Sequence, residues 1–219
     1  MSLWTWNGAD WEKAAWQRLS RPDPCVIFGS APSLDAADKD EKGCFRIVQN
    51  DAYKKVMPHL YVAMDKPDYP HLQGVLDLPC RKVYRGQYSE CEGKGGRKAK
   101  EFGDVYFADI EPGEKGHVFY RRDRDAKFLW LNNTLTVSVH LAVWMGFKKI
   151  IFSGIDLTMG RFEGGTSAAA ERQSLTATLR DQEFAFLKWF AASAPAAGIE
   201  VVNRSETSRL REFIKTEGK

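Results

Sequence analysis

Four consecutive apolar residues, Cys25-Val26-Ile27-Phe28, run directly into Gly29-Ser30-Ala31-Pro32-Ser33-Leu34. A short run without polar alternation, closed by a glycine turn, is the pattern of a strand buried on both faces, and such strands belong to parallel sheets covered by helices. Further apolar runs at Phe45 to Val48, Leu60 to Met64, Lys82 to Tyr84 and Val105 to Ala108 are separated by turn residues and read as strands of the same sheet. In the second half the period changes. Asn133 to Gly146 reads as a mostly apolar helix, Lys149 to Ser153 as a strand, and Ile199 to Val202 as a last strand. Between the last two, Arg172 to Ala192 reads as a long amphipathic helix with Leu175, Leu179, Phe186 and Phe190 on one face. Helices alternating with apolar strands predict the α/β class, as a Rossmann-like, mostly parallel sheet with helices on both faces.

The N-terminus reads differently. From Asn7 to Leu19, Trp11, Ala15 and Leu19 are spaced by four, which predicts a short amphipathic helix in which Trp4, Trp6, Trp11 and Trp16 serve packing. Pro22 and Pro24 end it. Residues 1–21 are therefore expected as a helical extension and 22–219 as a single domain, with no repeat or linker dividing it. A chain of 219 residues, 43% of them hydrophobic, is long enough to bury a full core.

Lys and Arg number 32 against 29 Asp and Glu, a net charge of +3 that is too even for a surface neutralising nucleic-acid phosphates. The Gly- and Lys-rich stretch Glu90 to Lys100 and the charged stretch Glu111 to Asp125 accordingly read as solvated loops. Cys25, Cys44, Cys80 and Cys91 form no Cys-x-x-Cys pair, so free thiols in a reducing cytoplasm are expected. Asp10 and Glu12 fall where a signal peptide would be apolar. The longest uncharged stretch, the 20 residues Phe128 to Phe147, gathers its polar residues at one end, which suits a helix entering a core rather than a bilayer span.

Ligands of an open parallel sheet bind beyond the carboxyl ends of its strands, where backbone N–H groups and helix N-termini converge. That rule picks out the Gly29 to Leu34 turn, Gln49-Asn50-Asp51, Asp65-Lys66 and Gly154-Ile155-Asp156. Gly29 lets backbone approach a phosphate, and Ser33 can donate from the turn. Asn50, Asp51 and Asp65 could each be helix caps and nothing more. Four polar clusters after four strands nevertheless point to one binding site.

Three of these stretches, Cys25 to Leu34 (CVIFGSAPSL), Arg46 to Asp51 (RIVQND) and Asn133 to Asp156 (NTLTVSVHLAVWMGFKKIIFSGID), resemble the bacterial sialyltransferases of glycosyltransferase family 42. The same landmarks occur in the related motility accessory factors and, more distantly, in archaeal hydroxymethylpterin diphosphokinases. As an ordered series the resemblance covers about two thirds of the chain. It implies that Gly29, Ser30, Ser33 and Asn50 contact a cytidine monophosphate sugar donor, that Thr134 faces it, and that Ser153, Gly154 and Asp156 line the nucleoside pocket. A helix opening at Asn133-Thr134 would offer unpaired N–H groups and partial positive charge to a phosphate, and Asp156 could accept from a ribose or base. The implied partners are a nucleotide or nucleotide sugar and a glycan or other small-molecule acceptor, with no cofactor required.

The departures are specific. Ala31 stands where the family usually has Gly or Asn, and Leu157 to Glu171, in the place of the family's lid, contains neither the histidine proposed as general base nor the tyrosines that hold the departing phosphate. Removal of the acceptor proton would then fall to His117, which neighbours Tyr120, Arg121 and Arg122, to a carboxylate such as Asp65, or to a partner protein. His140, inside the apolar helix, reads as a core residue. The diphosphokinase-like alternative would instead use Asp51 and Asp65, fourteen residues apart after successive strands, to hold magnesium bridged to phosphates. A non-catalytic protein retaining the fold stays open beside both, as does a homo-oligomer.

Overall fold

The computed structural model describes residues 3–14, 24–36, 43–69, 72, 74–93, 95–112, 128–130, 133–157 and 173–217. Strands β1 (Leu3–Trp6) and β2 (Trp11–Lys13) open the chain, and β3 (Cys25–Phe28), β4 (Phe45–Gln49), β5 (Leu60–Val62), β6 (Arg81–Arg85) and β7 (Val105–Ala108) follow. After them come β8 (Ile110–Pro112), β9 (Phe128–Trp130), α1 (Thr134–Met145), β10 (Lys149–Ser153), α2 (Gln173–Ser193) and β11 (Glu200–Asn203). Among the described residues nine strands form one sheet in the order β11-β10-β3-β4-β5-β6-β7-β1-β2, and β8 pairs with β9 alone. From β11 to β7 every neighbouring pair is parallel. The fold is thus the mostly parallel α/β sheet that the apolar runs predict.

Side chains alternate across that sheet. Cys25, Ile27, Ile47, Val62, Ile150 and Phe152 join one core with α1 and with Phe186, Leu187 and Phe190 of α2. Val26, Phe28, Val48 and Ile151 face the other way, as do Tyr61 and Tyr84. Helices cover both faces, but of different kinds. Among the described residues the second face is covered by short 3₁₀ turns at Pro32–Ala36, Asn50–Lys54, Val75–Asp77 and Ala99–Glu101, which deliver Leu34, Ala52, Val75, Leu76 and Ala99.

Helix α1 is buried on nearly its whole circumference, Trp144 being only half-buried, and His140 within it is 1% exposed. Its start is fixed by Asn133, whose Oδ1 accepts from the Thr136 backbone N–H at 2.7 Å and from the Thr136 hydroxyl at 2.8 Å. Its end is fixed by Gly146 at φ 93°. No helix among the described residues is long and apolar enough to cross a membrane.

The expected N-terminal helix is corrected. Residues 3–13 form a β-hairpin whose first strand pairs antiparallel with β7, so this part of the 1–21 segment extends the sheet. The reason is turn chemistry. Asn7 Oδ1 accepts the N–H groups of Ala9 and Asp10 at 2.9 and 2.8 Å, and Gly8 takes φ 102°. The turn places Trp6 opposite Trp11, with ring centroids 5.4 Å apart, and Trp11 against Phe107. Ala15 and Leu19, on which the helical spacing also rested, lie outside the described residues.

Candidate functional site

β3 lies between β4 and β10, and the chain leaves it in one direction through β4 to β7 and returns on the other side as β10 and β11. The carboxyl ends of β3 and β10 are therefore the switch point of the sheet, where crossovers diverge and leave a crevice. A cleft opens there. Its walls are the Gly29–Ala31 turn after β3, Gln49 and Asn50 at the end of β4, Thr134 and Leu135 at the start of α1, the 154–157 turn after β10, and Arg180 and Glu183 of α2.

The two turns are in backbone contact. Gly29 N–H donates to Ser153 O and Ala31 N–H to Gly154 O, each at 2.9 Å. A Cβ at Gly29 would stand 2.5 Å from the Gly154 carbonyl oxygen, and a Cβ at Gly154 would stand 2.5 Å from that of Gly29. Gly154 also has φ 64°, so glycine is required there twice over.

Asp156 secures the same region from behind. It is 2% exposed, and its carboxylate accepts the Ser33 N–H at 3.0 Å, the Ser33 hydroxyl, and the Ser205 hydroxyl at 2.7 Å. One turn further, Ser208 Oγ donates to Ile155 O at 2.6 Å and Arg209 N–H to Asp156 O at 3.1 Å. Loops from β3, β10 and β11 are thus tied through one carboxylate and its neighbours.

On the open side, Thr134 Oγ1 accepts the Met64 N–H at 3.3 Å and lies 3.5 Å from Asn50 Oδ1, to which it donates. Asn50 sits at φ 46°, a left-handed position that asparagine tolerates better than most residues. Beside it the Gln49 side chain is 5% exposed, and its Nε2 is buried with no hydrogen-bond partner. An unsatisfied buried donor costs about 1–3 kcal/mol. Gln49→Leu is therefore expected to stabilise the ligand-free chain by about 1 kcal/mol in urea unfolding, and a loss of stability would mean that the carboxamide already has a partner.

Of the residues singled out from sequence, the structure brings Gly29, Ser30, Asn50, Thr134, Gly154 and Asp156 to this cleft. Ser33 stands behind the wall, held by Asp156, and Ser153 contributes its backbone carbonyl to Gly29. Asp51 is 1% exposed, 3.3 Å from Lys54 Nζ, and does not line the cleft. Burial first, and then the Asp51 charge, raise the Tyr53 phenol above its ordinary value, and burial raises Tyr61 well above it. Asp65 is exposed beyond the end of β5. Among the described residues no group of three or more His, Cys, Asp or Glu is arranged to hold a metal ion. His117, Tyr120, Arg121 and Arg122 lie outside the described residues, as does the stretch 158–171.

Sequence reasoning gave no weight to Arg180, Glu183, Ser205 or Ser208, and noted Gln49 only as a neighbour of Asn50. A signal existed for two of these sets. Gln49 has the strand parity of Ile47 and so lies on the buried, helix-covered face, and Ser205 and Ser208 follow the last strand as the other polar clusters follow theirs.

Fold and cleft together define a Rossmann-like α/β protein with a cleft at the switch point of the sheet. Within that class the chain shares the fold of the sialyltransferase CstII from Campylobacter jejuni. Against CstII in complex with the substrate analogue CMP-3FNeuAc the TM-score is 0.53 at 16% identity, covering 88% of this chain and 85% of that one. Against the sialyltransferase with trisaccharide acceptor and CMP it is 0.51 at 14% identity, with 88% and 85% covered. Against CstII with cytidine-5'-monophosphate it is 0.51 at 16% identity, with 90% and 86% covered. At 14–16% identity these matches show a shared fold. No protein-family model matches the chain, and no curated protein matches it in sequence.

Proposed function

We propose that this chain binds a cytidine-monophosphate-activated sugar in the switch-point cleft and transfers the sugar to the hydroxyl of a glycan acceptor. The observation that carries the reading is the convergence of the Gly29–Ala31 turn, Asn50, the start of α1 at Thr134 and the Gly154 turn on one cleft, in a fold shared with CMP-bound sialyltransferases. The first-turn N–H groups of α1 suit a phosphate, while Gly29, whose N–H donates to Ser153 O, closes the turn against Gly154. The buried Gln49 carboxamide suits an uncharged acceptor atom of the base or sugar.

In the reaction the acceptor oxygen bonds to the anomeric carbon as the bond from that carbon to the phosphate oxygen breaks. The electron pair leaves with cytidine monophosphate, and the acceptor proton passes to a base. His117 and Asp65 are the bases to test, by the loss of transfer in His117→Ala and Asp65→Asn with nucleotide binding retained.

Binding is tested by following thermal and urea unfolding of the full chain with CMP, UMP, AMP and ATP, each with magnesium and with a chelator. The expected result is protection by CMP alone and equally in both conditions, worth about 2.7 kcal/mol at a hundred times the dissociation constant. Protection by ATP only with magnesium would replace this reading with phosphotransfer. Protection by none would leave a fold without a nucleotide function.

A further inference from the structure

Helix α2 reaches the cleft with one charged pair. Arg180 Nη1 donates to Glu183 Oε2 at 2.6 Å across an i,i+3 step, and Glu183 is 8% exposed. The guanidinium is only partly committed by this contact, because Arg180 Nε is buried and has no hydrogen-bond partner. Arginine presents its donors as a planar fork, and an edge containing Nε matches two oxygens of a phosphate. Among the described residues that line the cleft, Arg180 is the single cationic side chain. A phosphate entering this cleft meets a cationic side chain, among the described lining residues, only on the α2 wall.

We propose that Arg180 binds the phosphate of the nucleotide through its free edge, with Glu183 as a positioning residue that fixes the plane of the guanidinium. The inference rests on the nucleotide-binding reading above and names the residue that recognises the anion. Glu183 holds one arm of the fork while Nε is enclosed and lacks an acceptor, and in this proposal the side chain turns that edge toward the anion as it binds.

The test is calorimetric titration of the full chain with CMP and with cytidine, which differ by the phosphate alone. Arg180→Lys, which keeps the charge and loses the fork, is expected to weaken CMP about tenfold, and Arg180→Gln about a hundredfold. Glu183→Gln is expected to weaken CMP several-fold, and cytidine affinity stays within about twofold of wild type in all three. Unchanged CMP affinity in Arg180→Lys and Arg180→Gln, or equal loss of CMP and cytidine, would overturn the assignment while leaving the nucleotide site intact. Failure of the wild-type chain to bind either compound would overturn the site and the assignment together. A measurement free of any variant is competition by inorganic phosphate. It should displace CMP and leave cytidine bound, and displacement of neither would count against Arg180.

Discussion

Gly154→Ala is expected to destabilise the chain by about 2–5 kcal/mol, a large part of the roughly 5–15 kcal/mol that holds a domain folded. The added methyl would stand 2.5 Å from the carbonyl oxygen of Gly29, a backbone atom that cannot rotate aside as a side chain would. Overpacking of this kind costs about 1–3 kcal/mol, and an L-residue held in the left-handed region adds about 1–2 kcal/mol. Gly29→Ala meets the reciprocal contact without the conformational strain, so its effect is expected nearer 2–3 kcal/mol. Gly103→Ala is the matched control, since nothing lies within 4 Å of its added methyl. Urea unfolding of the three variants gives the ranking directly. A Gly154→Ala chain as stable as wild type would show that the turns after β3 and β10 are not in contact, and the cleft between them would have no floor.

The second large effect is at Asp156. Removing a buried carboxylate that accepts from Ser33 twice and from Ser205 leaves three donors facing an apolar gap. Asp156→Ala is expected to cost about 3–5 kcal/mol, and Ser205→Ala about 1–2 kcal/mol. Because these groups act as one network, the losses should not add. In the Asp156→Ala background, Ser205→Ala should cost little further, and a double-mutant cycle measures that coupling. If Asp156 were mainly a ligand contact, its replacement would weaken nucleotide binding with stability unchanged. Its burial and its partners predict the reverse order, with the stability loss dominant and the binding loss following from a displaced Ser33 turn.

The strands were legible because a strand buried on both faces leaves an unbroken apolar run, as at Cys25–Phe28 and at Ile150 to Phe152. The cleft's position was legible because the residues after those strands have few places to go. The hairpin was not, since Trp11, Ala15 and Leu19 also satisfy a helical period, and the Asn7 turn that decides between the two is local chemistry which a period count ignores. The 3₁₀ turns of the second face escape for another reason. Each delivers one or two apolar residues, such as Leu34 or Ala99, and so few leave no period to read. Arg180 and Glu183 needed the placement of α2, which no spacing within that helix reveals.

The order of the sheet also bears on how the chain comes off the ribosome. Cys25 of β3 pairs with Ile150 of β10, so 125 residues separate the two halves of the central contact. At elongation rates of about 5–20 residues per second, a nascent chain carrying β3 and β4 waits roughly 6–25 s for its other neighbour. Through that interval one margin of β3 has open amides and carbonyls, the condition that invites pairing with a second unfinished copy and makes early shielding by a chaperone worthwhile.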